Sequence, residues 1–260
     1  MVKKLMWQQI KNVFKPTAWI FDVDGTLTPS RRVINWEFEM GLRTGAQHHH
    51  YFVVTGSDKA KTVEQLGEPL YNSFRKVYQC SGNDVWIGDK NIYTNNWELD
   101  DVPWKYLEGI LNYSKFPHRT GHHMERRPGM LNFSVLGRKA NPRQRQEYIE
   151  WDLKTNERQH VADEFNEYFS EKYNVQAHIG GETGLDIMPI GSDKSQILKY
   201  FDDFGQIIFF GDKTMVGGND HSLAEAIKND PLKRNNIVYQ VDSPEHTRQL
   251  LQYELDTRYQ

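Results

Sequence analysis

Ala18-Trp19-Ile20-Phe21-Asp22-Val23-Asp24-Gly25-Thr26-Leu27-Thr28 is the stretch that decides how this chain folds. The apolar run reads as a buried strand and Gly25 marks where the backbone turns, so Asp22 and Asp24 stand at the strand's C-terminal end. Open α/β sheets place their ligands at that end. Strict alternation would send the two carboxylates to opposite faces, but a turn relaxes this and lets both converge on one reacting group. One can attack while the other moves a proton. Alone, an Asp-x-Asp pair has an equally ordinary reading, because acidic residues also cap helices and fill turns.

Three further segments change that balance. Tyr51-Phe52-Val53-Val54-Thr55-Gly56-Ser57 is a strand ending in a hydroxyl residue, Thr55. Gly191-Ser192-Asp193-Lys194-Ser195 opens a helical pattern with Lys194, and the strand Gln206-Ile207-Ile208-Phe209-Phe210 runs into Gly211-Asp212-Lys213-Thr214-Met215-Val216-Gly217-Gly218-Asn219-Asp220. Taken singly, Thr55 is a strand-end hydroxyl, Lys194 a solvated helix residue and Asp212 a turn former. In this order they resemble the haloacid-dehalogenase-like (HAD) phosphotransferases. The resemblance implies an α/β fold with a HAD-like Rossmannoid parallel-sheet core. Asp22 is then the nucleophile that forms an aspartyl-phosphate, and Asp24 the acid that protonates the departing oxygen. Mg²⁺ suits an all-oxygen site built from Asp22, the Asp24 backbone carbonyl and Asp212. Thr55 and Lys194 bind the transferring phosphoryl group, while Asn219 and Asp220 orient Lys194 and Asp212.

Composition agrees with an ordinary enzyme of one large or two smaller domains: 260 residues, 38% hydrophobic and 13% aromatic. A formal net charge of −3 gives no electrostatic case for nucleic acid or a membrane surface, so any positive charge that matters is local. The single cysteine, Cys80, cannot form an internal disulfide, which points to a reducing, cytoplasmic compartment. Residues 1–15 carry Lys3, Lys4, Lys11 and Lys15 among scattered apolar residues, an amphipathic-helix pattern rather than a secretory signal. No stretch approaches the ~20 apolar residues of a membrane span.

Along the chain, hydrophobic periodicity alternates between strand and helix as in a parallel sheet interrupted once. Helices are expected over Val33–Arg43 and Asp58–Gly67, with strands at Phe52–Val54 and Val77–Cys80. The texture then changes to a hairpin (Val85–Ile87 with Ile92–Tyr93), a helix over Val102–Ser114, a strand over Met130–Leu136 and one long helical tract from Pro142 to Tyr173. Strands at Val175–Ile179 and Leu185–Met188 follow. The parallel pattern resumes with a helix from Asp193, strands at Ile207–Phe210 and Ile237–Val241, and a last helix opened by Ser243-Pro244-Glu245. This order describes a discontinuous core, 1–91 with 186–260, and an inserted α+β cap, 92–185. An insert at this point is the type IIB cap of HAD enzymes, expected over the core's strand ends, where it supplies selectivity and excludes water.

The insert narrows the resemblance to the eukaryotic-type phosphomannomutases. Arg126-Arg127-Pro128-Gly129-Met130-Leu131-Asn132-Phe133-Ser134-Val135-Leu136-Gly137-Arg138 looks like that family's arginine-bearing cap strand, and Arg145 matches its next arginine. Gly180-Gly181-Glu182-Thr183-Gly184-Leu185-Asp186 is similar to its sugar-contacting segment, Gly211–His221 matches almost residue for residue, and Arg31 also lines up. The family implies substrate binding by Arg31, Arg127, Arg138, Arg145 and Asp186. It also implies a hexose phosphate substrate, a hexose 1,6-bisphosphate activator, a role in GDP-mannose synthesis and a homodimer through the cap. Three arginines in a chain without excess base independently suggest a site for a dianionic phosphate, which guanidinium groups hold through paired, charge-assisted hydrogen bonds. Arg126, Arg143 and Lys139 read as a solvated cationic face.

Two residues depart from the family pattern. Gly184 stands where relatives have Ser, and Thr55 where they have Gly, as in general HAD phosphatases. Two activities therefore stay open: a mutase interconverting mannose 1-phosphate and mannose 6-phosphate, and a type IIB sugar-phosphate phosphatase. A non-catalytic sugar-phosphate binder should lack a core carboxylate, and none is missing. No structural cation site is expected after His221. His48-His49-His50 and His122-His123 read as surface or strand-entry residues, because neighbours in a strand point to opposite faces.

Overall fold

The structure, a computed structural model, describes residues 15–258, so the expected N-terminal helix lies outside the described residues. The chain divides into two compact units, one taking residues up to Tyr93 and from Lys194 onward, the other Thr94–Asp193. The expected boundary between residues 185 and 186 falls instead inside a strand, Gly184–Pro189. That strand pairs on both sides within the second unit, so the second unit must extend past it.

In the first unit, β1 (Thr17–Phe21), β2 (His50–Val54) and β3 (Lys76–Gln79) run parallel. β4 (Asp84–Ile87) turns back antiparallel to β3 and is followed by β5 (Lys90–Thr94). With β10 (Gln206–Gly211) and β11 (Ile237–Gln240) the sheet has the order β11-β10-β1-β2-β3-β4-β5. The central strands are apolar on both faces, as a doubly covered parallel sheet requires. Alternate residues divide accordingly: Trp19, Phe21, Val53 and Phe210 enter one core, Ala18, Ile20, Phe52 and Phe209 the other. The surrounding helices are α1 (Trp36–Gly45), α2 (Lys59–Leu66) and α3 (Glu68–Tyr71). Asp58 caps α2, its side chain accepting from Lys61 N at 2.8 Å.

The second unit carries an antiparallel sheet of order β6-β7-β9-β8: β6 (Met124–Arg127), β7 (Met130–Phe133), β8 (Val175–Gly180) and β9 (Gly184–Pro189). Its helices are α4 (Asp101–Tyr113), α5 (Pro142–Thr155) and α6 (Glu157–Tyr173). The helical tract expected as one piece is thus two. Asn156 adopts the left-handed conformation (φ 52°, ψ 32°), which Asn tolerates better than most residues and which ends α5. The segment read as an arginine-bearing strand is also two elements, because Pro128-Gly129 makes a hairpin turn with Gly129 at φ 63°.

The chain re-enters the first unit in a helix, Lys194–Tyr200, one residue after the expected start at Asp193 and of the 3₁₀ type. Its Phe201 N bonds Leu198 O, the three-residue spacing of that form, and Gln196 Nε2 ties it to Ser81 O at 2.9 Å. α7 (His221–Lys228) and α8 (Pro244–Arg258) complete the unit. Among the described residues no helix is long and apolar enough to cross a membrane.

Candidate active site

Asp22, Thr55 and Asp212 each follow the last residue of neighbouring parallel strands, β1, β2 and β10, so sheet order alone assembles them. Asp22 N continues the ladder by bonding Phe210 O at 3.0 Å. Its carboxylate is buried and its Oδ1 accepts from Lys194 Nζ at 2.6 Å. Lys194, 1% exposed, also donates to Asp220 Oδ1 at 2.7 Å. Burial lowers the lysine's proton affinity, but the two carboxylates outweigh it and hold the ammonium above its ordinary value. Thr55 is buried beside this group of strand ends, its Oγ1 accepting from Ser57 N at 3.1 Å.

Asp22, Asp212 and Asp220 place carboxylate oxygens within 4.8 Å of one another. Three carboxylates against one ammonium leave a local excess of negative charge. Burial, reinforced by Asp220 and Asp212 against Lys194, raises the Asp22 carboxyl well above the usual range. Burial and the Asp220 carboxylate push Asp212 up to about 6. Asp22 Oδ2 is buried with no hydrogen-bond partner. Hard oxygen donors, excess negative charge and an orphaned carboxylate oxygen fit a divalent cation such as Mg²⁺. Gly25 makes this arrangement possible: at φ 83°, a Cβ there would lie 2.4 Å from Asp212 Oδ2.

Asp24 stands outside that carboxylate cluster. Its Oδ1 accepts from the backbone N of Arg31 at 2.7 Å and from Gln65 Nε2 at 3.0 Å. Gln65 Nε2 also lies 3.0 Å from Thr28 Oγ1, so one amide clamps the turn after β1 at two points. The exposed Arg31, at φ 59°, thus meets Asp24 through its main chain. Asp220 touches Lys194, and its Oδ2 also accepts from Lys213 N at 3.2 Å. Asn219 Oδ1 is buried without a hydrogen-bond partner. Gln65 is a residue that sequence reasoning misses at this turn; its signal is a polar side chain on the buried side of an otherwise amphipathic helix.

The second unit gathers its own set. Arg127 at the end of β6 and Arg138 in the loop after β7 both approach Glu125 Oε2, at 2.7 and 2.5 Å. Burial alone would raise the Glu125 carboxyl, but the Arg127 and Arg138 guanidiniums hold it below its usual range. Burial and the Arg127 charge in turn lower Arg138, whose Nε is buried with no hydrogen-bond partner. Arg145, in the first turn of α5 behind the Asn141–Gln144 capping box, pairs with Glu182 at 2.6 Å. Asp186 on β9 faces Asn132 on β7, whose Nδ2 donates to Asp186 Oδ1 at 2.6 Å. A Cβ on Gly184 would lie 3.0 Å from Asn132 Oδ1, so Asn132 occupies room that a side chain there would claim.

Outside these sets, Arg126 pairs with Glu98 and lies over the Trp104 ring, and Arg143 pairs with Glu147. His49 stacks beside Tyr51, His50 meets Phe204 edge-on, and His123 Nδ1 lies 2.9 Å from Ser134 O.

The chain matches the family described as Eukaryotic phosphomannomutase over residues 40–256. It is 35% identical to Phosphomannomutase 1 of Dictyostelium discoideum, over 90% of this chain and 95% of that one. It is 32% identical to the phosphomannomutase of Saccharomyces cerevisiae, over 90% and 92%. Among solved structures, the C. albicans trehalose-6-phosphate phosphatase C-terminal domain superposes with a TM-score of 0.62 at 15% identity, covering 95% of each chain. A haloacid dehalogenase-like hydrolase from Bacteroides thetaiotaomicron gives 0.60 at 14% identity, over 92% of this chain and 100% of that one. At such identities the structures establish the α/β, HAD-like fold alone.

Proposed function

We propose that this chain, which belongs to the eukaryotic phosphomannomutase family, interconverts mannose 1-phosphate and mannose 6-phosphate through an aspartyl-phosphate on Asp22. The observation that carries the reading is the Asp22 carboxylate itself, buried, paired with Lys194 through Oδ1 and unpartnered at Oδ2. An Asp22 oxygen attacks phosphorus, the bond from phosphorus to the sugar oxygen breaks, and the Asp24 proton goes to that oxygen. In the reverse half-reaction Asp24 takes the proton back from the incoming sugar hydroxyl. Lys194 and the Thr55 hydroxyl neutralise and position the transferring group. The Asp22 and Asp212 carboxylates and the Asp24 carbonyl would hold Mg²⁺, which would supply charge neutralisation when bound.

A hexose 1,6-bisphosphate charges Asp22 at the start, and the same kind of molecule is the intermediate that must turn around between the two transfers. Arg127, Arg138 and Arg145 then hold whichever phosphate is not reacting, while Arg31 and Asp186 contact the substrate. Exclusion of water from the phosphorylated Asp22 belongs to the same reading. The product feeds GDP-mannose synthesis in the cytoplasm, a compartment compatible with the one buried thiol, Cys80. A homodimer through the cap belongs to the same reading.

The test is to follow mannose 1-phosphate with and without added hexose 1,6-bisphosphate. Isomer should form faster with the bisphosphate, and inorganic phosphate should appear much more slowly than isomer. Stoichiometric phosphate release with no isomer overturns the mutase in favour of a sugar-phosphate phosphatase, the activity to which Thr55 and Gly184 would then be ascribed.

A further inference from the structure

We infer that Glu182 is a resident substitute for substrate phosphate at Arg145, so that binding in the second unit is an exchange of anions rather than the filling of an open cationic site. The inference rests on the reading above, that these arginines hold a hexose phosphate. Its starting point is a balance of charge. Arg127, Arg138 and Arg145 are met by Glu125, Glu182 and Asp186, three guanidiniums against three carboxylates. A phosphate dianion brought to that set gains little unless one carboxylate gives way.

The three carboxylates are not equally able to do so. Asp186 is 9% exposed, lies on a central strand of the sheet and is bonded to Asn132. Glu125, also on a strand, serves two arginines at once, and moving it would leave both without their shared partner. Glu182 serves one arginine and is the most exposed of the three, at 39% of its side chain. It sits in the turn between β8 and β9, away from the strand ladders.

The turn is nonetheless anchored at both ends. Ser134 Oγ donates to Thr183 O at 2.7 Å, and Arg158 Nη1 donates to Gly181 O at 3.2 Å. Arg145 is equally fixed, because the capping box sets the backbone of its helical turn. Backbone on both sides is therefore held while the Glu182 side chain remains free to leave into water. The contact can dissociate from the Glu182 side, because the arginine is mostly buried and held while the carboxylate is partly exposed.

Such a contact suits a reaction whose bisphosphate must let go, turn and rebind. Arg145 left bare would retain the phosphate, whereas Glu182 takes the guanidinium back each time the phosphate leaves. The cost is a looser ground-state complex.

Calorimetric titration of mannose 6-phosphate into the wild-type protein, Glu182→Gln, Arg145→Ala and the double variant measures this exchange directly. Glu182→Gln should bind about fivefold more tightly than wild type, and Arg145→Ala about tenfold or more weakly. In the Arg145→Ala background the Glu182 substitution should change affinity by less than about twofold, since the competition has lost its object. Glu182→Ala, which removes the carboxylate and its amide mimic together, should move affinity in the same direction as Glu182→Gln. Steady-state assays add a second readout: KM and kcat for Glu182→Gln should fall together, because tighter retention slows turning. Unchanged or weaker binding by both Glu182 variants, alongside the expected loss in Arg145→Ala, overturns the exchange and leaves the phosphate site intact. An equal gain with and without Arg145 also overturns it. No binding by wild type or any variant removes the phosphate reading of this unit, and the exchange with it.

Discussion

Gln65 Nε2 lies 3.0 Å from Asp24 Oδ1, joining the last turn of α2 to the turn that follows β1. The amide must present its nitrogen here, because its oxygen would face a carboxylate and the Thr28 hydroxyl already donates toward Val23 O. Oδ1 thus receives N–H groups from both Gln65 and Arg31. With both lone pairs of Oδ1 engaged, a proton delivered by Asp24 in the proposed reaction would leave from Oδ2. The carboxyl group is held in orientation from two sides.

Replacing Gln65 with Met keeps the volume of the buried site but removes the donor. The sugar-phosphate reaction should slow by roughly 10-fold or more, a part of the 10² to 10⁴ that general acid catalysis contributes. Turnover of p-nitrophenyl phosphate should fall much less, since its leaving group departs without a proton. Equal losses on both esters would mean that Gln65 supports the fold and not the acid.

What the chain reveals in sequence and what it conceals divide by distance. Asp22, Thr55 and Asp212 are legible because each directly follows a strand, and a parallel sheet puts such ends side by side, while Asp24 is legible only through its place two residues past Asp22. Gln65 is 41 residues from Asp24, and no local pattern links them. Nothing in the sequence pairs Glu125 or Glu182 with an arginine, since those pairings are set by hairpin register and by the packing of α5. The split of the 142–173 tract escapes for another reason: Asn156 is acceptable inside a helix, and only its left-handed backbone ends one. Lys194–Tyr200 is tied through Gln196 to Ser81 O, 115 residues earlier in the chain, a contact no local pattern announces.

The carboxylate cluster predicts a pH-dependent response to Mg²⁺. Asp212 is raised from 3.8 to about 6, and Asp22 is raised as well. A carboxyl that binds protons more tightly folded than unfolded lends stability at low pH and loses it as pH rises through that window. The metal-free protein should therefore lose melting temperature from these groups as pH increases, while Mg²⁺, which needs them ionised, binds better. The rise in melting temperature on adding Mg²⁺ should be small near about pH 5 and larger near about pH 8. The same increment at both would show that these carboxylates do not hold the ion.

Arg138 and Arg145 should separate binding from stability. Alanine at either position should reduce use of mannose phosphates by about 10- to 100-fold, the worth of a charge-assisted hydrogen bond, with far smaller losses on p-nitrophenyl phosphate. Lysine should restore only part, because a point charge cannot reproduce the paired geometry. Only Arg138→Ala should also lower the melting temperature clearly, since Arg138 is the more deeply engaged, sharing Glu125 with Arg127. Equal losses on both classes of ester would assign these arginines a structural role.

Gly25→Ala tests whether the catalytic turn and the Asp212 carboxylate are one device. The left-handed backbone at φ 83° adds strain of about 1–2 kcal/mol for any residue with a Cβ, which a protein of this size tolerates. The steric demand is the larger effect: the new methyl would stand 2.4 Å from Asp212 Oδ2 and 2.7 Å from its Cγ, so the carboxylate must swing away. Asp212 is one of the three acids of the cluster, and its displacement should weaken Mg²⁺ binding more than it weakens the fold. Titrating Mg²⁺ while monitoring melting temperature should show a folded variant whose response is shifted to concentrations at least about tenfold higher, the loss of roughly one ligand interaction. A variant that melts normally and responds to Mg²⁺ as wild type does would show that the ion does not depend on Asp212 where this turn holds it.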